Sequence, residues 1–227
     1  VIIQSKTLTP MQRRFISILA ASPNLQISLE KAQDSLWPQA SRDKSRRNLD
    51  TLLSRFRSLL RPLTEPYSIS NYLVVSCRVD TIEFRRLVQN GFTHASKEEW
   101  WQAGNLFNAA DELWGGCFAL DSLMDTITYD DCIDLRNEYL RMAECWAKFL
   151  LSTEQYPEAL KLLLRARKIH PAHERLTAYL YHLYIREYDS DNAKQTLANY
   201  RNALHIQGVP EHDIESRLHS VISSIDI

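Results

Sequence analysis

The sequence predicts a mainly α-helical protein in two parts. Residues 1–77 read as a winged helix-turn-helix with a small β-hairpin wing, and residues 78–227 as a tetratricopeptide-like helical domain. Three observations predict this. Apolar residues recur at three-four spacing through most of the 227-residue chain, the pattern of helices with one buried face. One segment, YSISNYLVVS, breaks that period with β-branched and aromatic residues, after three predicted helices. Charge is also divided: residues 1–77 hold 11 Lys or Arg against 5 Asp or Glu, whereas 78–227 hold 16 against 23. The net charge of −1 averages a basic part and an acidic one, which points to a polyanion for the first and a different partner for the second.

The opening VIIQSKTL reads as the end of a strand. TPMQRRFISILAAS reads as a helix with Thr9 as N-cap and Pro10 at its first position; Met11, Phe15, Ile18 and Leu19 form its buried stripe, and Pro23 ends it. Ser28 caps a second, short helix, LEKAQDSLW, which Pro38 stops. The third helix, Asp43–Leu60, would be about 27 Å long. Leu49, Leu52, Leu53, Phe56, Leu59 and Leu60 make its apolar face, and Arg47, Thr51, Ser54 and Ser58 lie opposite. The stretch 41–62 around it carries seven Arg or Lys and two Asp. Pro62 terminates it. Tyr67–Ile69 and Tyr72–Val75 follow as a hairpin turning at Ser70-Asn71.

From Val79 onward only helices are expected, near 80–90, 97–113, 128–152, 156–169, 173–187, 190–206 and 211–225. A repeat runs through them. Ala159, Leu163 and Ala166 recur as Ala103, Phe107 and Ala110, and Ala193 and Leu197 stand 34 residues after Ala159 and Leu163. Small, large and small residues at this spacing let neighbouring helices pack closely, and 34 residues is the length of a tetratricopeptide repeat.

The basic helix alone would ordinarily read as a solvated amphipathic face. Its context, after a short helix at helix-turn-helix spacing and before a hairpin, points instead to double-stranded DNA, whose major groove admits an α-helix. Arg47, Thr51 and Ser54, on the most outward line, are assigned to base edges, and Lys44, Arg46, Arg55 and Arg57 to phosphates. Arg46 and Arg57 lean toward the apolar stripe, where pairing with acidic neighbours competes. Asn71 and Tyr72 at the hairpin tip could reach the minor groove or backbone, with a core role the alternative for Tyr72.

Catalytic readings find little support. The seven His are scattered, and His170 and His173 lack a nearby Cys or acidic ligand set for a metal. Cys117 follows Gly115-Gly116 as a nucleophile would, but a helix C-cap before a buried Cys fits better. Asp130-Asp131 sit at a helix start and complement its dipole. No Gly precedes Gly91, so the basic part has no Gly-rich phosphate cradle. The expectation is a protein that is not an enzyme, with no cofactor and no metal. No apolar run reaches the roughly 18 residues of a membrane span. Cys77, Cys117, Cys132 and Cys145, widely spaced and without a C-x-x-C pair, read as reduced thiols in a cytoplasmic protein.

Several motifs resemble one family. Leu36-Trp37-Pro38 and Leu53-Ser54-Arg55-Phe56-Arg57 resemble the end of the short helix and the recognition helix of the SARP-type transcriptional activators, which carry an OmpR-like winged helix. VDTIEFRRLV, AADELWGGCFALD and GVPEHDIESRLHSVI are similar to segments of the bacterial transcriptional activator domain that follows it there. The resemblance covers nearly the whole chain, in shared order. It implies a transcription activator whose winged helix binds promoter DNA. The loop Pro38, Gln39, Ala40, Ser41 and Arg42 would face RNA polymerase, and the helical domain would form a homodimer or couple to a sensor. Two features depart from the family. Most of the sheet that opens an OmpR-type winged helix is not in VIIQSKTLT, which implies a fragment with more chain upstream. The wing has Asn71-Tyr72 where Gly-Tyr is frequent. A rival reading is a tetratricopeptide-type scaffold whose winged helix docks protein rather than DNA.

Overall fold

The fold is that of a computed structural model, described over residues 8–60, 67–69, 72–74, 79–116 and 126–224. Thr9 starts helix α1, Pro10–Ala20, through a capping box: its hydroxyl accepts from the Gln12 N–H, and Gln12 Oε1 accepts from the Thr9 N–H at 2.9 Å. Phe15, Ile18 and Leu19 are the buried face, and Met11 packs partly against the same core. After the helix, Asn24 and Leu25 both adopt left-handed backbone, φ 55° and 54°. That conformation is costly for Leu, and Leu25 is held in it by burial at 5% exposure.

The turn feeds a three-residue strand that the sequence did not announce, β1, Gln26–Ser28. Ser28 then accepts from the Lys31 N–H at 3.1 Å and caps α2, Leu29–Leu36. Helix α3 runs from Arg42 to Leu60, one residue earlier than the pattern predicts. Strands β2, Tyr67–Ile69, and β3, Tyr72–Val74, complete an antiparallel sheet ordered β1-β3-β2. Ile27 lies opposite Leu73 in the β1–β3 ladder, and both are buried. Because side chains alternate along a strand, burying Leu73 turns Tyr72 outward. Tyr72 is 51% exposed, so the core role weighed for it does not apply. Sheet and helices share one core, in which Leu49, Leu52, Leu53 and Phe56 of α3 meet Phe15, Ile18 and Leu36.

The remaining helices lie near the expected spans, although α4 runs five residues longer and α5 starts three residues later than the pattern predicts: α4 Asp80–Ala95, α5 Trp100–Leu113, α6 Thr126–Ser152, α7 Tyr156–Ile169, α8 Glu174–Arg186, α9 Ser190–Ile206 and α10 Glu211–Ser223. The chain divides into two compact units, residues 1–86 with 113–135, and 87–112 with 136–227. In the first, Phe84 packs on Trp114 with ring centroids 5.2 Å apart, and Arg85 pairs with Asp131 at 2.5 Å. In the second, Ala103, Phe107, Ala110, Ala159, Leu163 and Ala166 are all fully buried, as the repeat requires. Ala193 is buried too, and Leu197 is partly buried against a core that includes Tyr200.

Close packing there depends on Gly104, where a Cβ would stand 2.4 Å from the Trp146 ring. A polar tie joins three helices. Buried Tyr139 of α6 donates to Asp111 Oδ1 of α5 at 2.6 Å, and Arg165 of α7 donates to Asp111 Oδ2 at 3.1 Å. One cysteine expectation fails: Cys132 is disulfide-bonded, so the four are not all free thiols. Spacing along the chain carries no information about distance between helices, which is why the pattern missed it. Cys145 is free.

Candidate nucleic-acid interface

Helix α3 is fixed on one side and open on the other. Its core face is locked by Leu49, Leu52, Leu53 and Phe56, each at most 6% exposed. Its first turn is fixed by polar contacts to α2. Ser45, buried at 5% exposure, donates to the Arg42 carbonyl at 3.0 Å and lies 3.4 Å from Gln33 Oε1. Arg42 pairs with Glu30 at 2.6 Å, but both ends are largely exposed, so the pair sets geometry more than stability. Arg14 of α1 donates to the Ser35 carbonyl at 2.7 Å and ties α1 to the end of α2. Sequence reasoning missed Ser45, Gln33 and Arg14. Only Ser45 left a signal, since it stands four residues before Leu49 on the apolar stripe.

On the open side, Lys44, Arg46, Arg47, Thr51, Ser54 and Arg55 are all exposed. From Lys44 to Arg55 the axial span is about 16 Å, somewhat more than the roughly 12 Å width of a major groove. Lys44, Arg46 and Arg47 form no ion pair among the described residues, so the acidic partner weighed for Arg46 is absent there. Asp43 and Asp50 are the acidic residues on the exposed surface of the helix. Thr51 Oγ1 donates to the Arg47 carbonyl at 2.9 Å, which leaves the hydroxyl oxygen as an acceptor. The side chain of Arg57, and Asn71 with the Ser70-Asn71 turn, lie outside the described residues. So do the strand expected in residues 1–7 and the segment holding Cys117.

The loop before α3 is short. Ala40 N–H donates to the Trp37 carbonyl at 3.0 Å, and Ser45 N–H donates to the Ser41 carbonyl at 2.9 Å. Pro38, Gln39, Ser41 and Arg42 are exposed and Ala40 is half-buried. Of His170 and His173, the histidines nearest to a metal-like pair, His173 does other work: its Nδ1 accepts from the Leu176 N–H at 3.4 Å and caps α8. Among the described residues, no group of three or more His, Cys, Asp and Glu could hold a metal ion. No helix among them is long and apolar enough to cross a membrane.

Comparison with known proteins adds two findings. The sequence pattern of the bacterial transcriptional activator domain matches residues 79–219. Among solved structures, Mycobacterium tuberculosis EmbR in complex with a low-affinity phosphopeptide is similar to this chain with a TM-score of 0.70 at 18% identity. The match covers 95% of this chain, so it takes in the winged helix as well as the helices that follow, and 60% of the EmbR chain. No curated protein matches the chain.

Proposed function

The chain belongs to the bacterial transcriptional activator domain family, and from that membership we propose that it is a DNA-binding transcriptional activator of the SARP type. Residues 1–77 are its DNA-binding domain and 78–227 its activator domain. The observation that carries this reading is the open face of α3, where Lys44, Arg46, Arg47 and Arg55 stand exposed on a helix whose other side is locked into a winged-helix core. Such a helix enters the major groove of duplex DNA, where Arg47, Thr51 and Ser54 meet base edges. Lys44, Arg46, Arg55 and Arg57 meet the flanking phosphates. Thr51 takes part as an acceptor, because its proton is held by the Arg47 carbonyl. Tyr72, outward on β3, and Asn71 beside it touch the adjacent backbone or minor groove.

The exposed loop Pro38–Arg42 is the surface offered to RNA polymerase. The helical domain is the part that forms a homodimer, and its exposed apolar side chains include Trp101 at 78%, Tyr188 at 95% and Ile206 at 87%. The protein acts without catalysis and without a cofactor, in the cytoplasm where its DNA target lies.

Selection of genomic fragments bound by the purified protein, followed by the Arg47→Glu variant on the fragments recovered, tests the reading. Recovery of a shared site and its loss in a folded Arg47→Glu protein is the expected outcome. Undiminished binding by that variant removes α3 from the interface.

A further inference from the structure

A groove of about 490 Å³ opens on the unit formed by residues 87–112 and 136–227, and its chemistry differs from that of the domain around it. Arg141, Glu144, Cys145 and Lys148 follow one another along a single face of α6, and Arg175, Ala178 and Tyr179 do the same on α8, so two helix faces form the walls. Phe92 of α4 adds an aromatic surface. Three cations meet one carboxylate here, although residues 78–227 as a whole are acidic, with 23 Asp or Glu against 16 Lys or Arg. Glu144 is already paired with Arg175 at 2.5 Å. Arg141 lies over the Phe92 ring, 5.7 Å from its centroid, and neither it nor Lys148 forms an ion pair among the described residues.

We propose that this groove binds a small organic anion, a molecule with a planar apolar body and a carboxylate, sulfonate or phosphate group. Arg141 and Lys148 hold the acid group, and Phe92 and Tyr179 contact the apolar body. The groove lies within the range of roughly 300–1,000 Å³ typical of small-molecule sites, and its mixture of apolar wall and a few convergent charges is what such sites use to fix orientation. Uncompensated cations beside an aromatic ring gain most from a ligand that supplies both the missing charge and a flat surface. The proposal does not rest on DNA binding by α3 and stands or falls apart from it.

Cys145 offers a reporter already in the wall. It is a free, half-buried thiol, and burial pushes its pKa up, so it reacts slowly and more slowly still when covered. The full chain is titrated with anilinonaphthalenesulfonate and, in parallel, with phenylnaphthylamine, which has the aromatic rings without the acid group. Fluorescence reports binding, and alkylation of Cys145 by iodoacetamide, read by peptide mass spectrometry, reports location. The sulfonate is expected to bind and to slow Cys145 alkylation, and the neutral compound to do neither at the same concentration. Arg141→Gln and Lys148→Gln are each expected to weaken sulfonate binding about tenfold, the scale of one charge-assisted contact, while Lys194→Gln on α9 leaves it unchanged. No sulfonate binding, binding without Cys145 protection, equal binding of the neutral compound, or unchanged binding in both variants overturns the proposal. The protection measurement uses the unaltered protein, so a variant that fails to fold does not remove the test.

Discussion

Phe15 of α1 and Phe56 of α3 meet edge to face, with ring centroids 5.1 Å apart and planes at 88°. Both are buried, at 1% and 2% exposure. The contact joins α1 to α3 within the core, on the side of α3 away from its open basic face. Replacing Phe56 with Ala removes that contact and leaves a cavity, at a cost of about 3–5 kcal/mol. Urea unfolding is expected to show this loss, with Phe56→Leu losing much less. DNA affinity should fall only in step with the folded fraction.

The two outward residues Arg47 and Thr51 should respond differently to truncation. Arg47→Ala removes a bidentate donor at a base edge and is expected to weaken site-specific binding by about ten- to a hundredfold, relaxing preference at one position. Thr51→Val removes a hydroxyl whose proton is already bonded to the Arg47 carbonyl, and so costs less than Arg47→Ala on the same duplex. Fluorescence anisotropy on matched and single-mismatch duplexes measures both.

Tyr139→Phe tests the tie between α5, α6 and α7. Burial pushes the Tyr139 phenol well above its ordinary pKa, with Asp111 adding to the effect, so it remains a donor to the carboxylate. Removing the hydroxyl leaves Asp111 with Arg165 and half its buried acceptor capacity unmet. The expected loss is about 1–2 kcal/mol in urea unfolding followed by Trp fluorescence.

Acid should loosen the start of α8. Burial holds both His170 and His173 below the ordinary His pKa, and His173 must be neutral at Nδ1 to accept from Leu176. The charged groups around His173 divide, with Glu144 and Glu174 favouring the proton and His170 and Arg175 opposing it. The unfolded chain takes up protons first, so the stability from neutral His is complete above about pH 6.5 and is lost as pH falls from there through the folded pKa values. Thermal midpoints of the wild type should drop across that interval. His173→Asn, a capping residue that does not titrate, should drop less.

Local signals carried most of the secondary structure. The Thr9-Pro10 start, the Ser28 cap, the leucine stripe of α3 and the buried Ala-Phe-Ala and Ala-Leu-Ala triplets are all written within a few residues of one another. What escaped was set by distance in space rather than in sequence. Strand β1 is three residues long and exists because β3 pairs with it, with Ile27 against Leu73. Tyr72 could be placed outside only once Leu73 was known to face the core. Asp111, Tyr139 and Arg165 come together from three helices, and Arg141, Lys148 and Arg175 from two. For the candidate interface, the exposed cations of α3 were legible from the helical period. The contact between Ser45 and Gln33 at its first turn, and the one between Arg14 and Ser35 that ties α1 to α2, were not.

The salt dependence of duplex binding tests the central claim most directly. If Lys44, Arg46, Arg55 and Arg57 neutralise four phosphates per protomer, the logarithm of the binding constant should fall with the logarithm of salt at a slope of about −3.6. The Lys44→Ala/Arg46→Ala protein should give a slope shallower by about 1.8. A double variant that is folded yet keeps the wild-type slope would contradict the assignment of α3 as the helix that meets DNA.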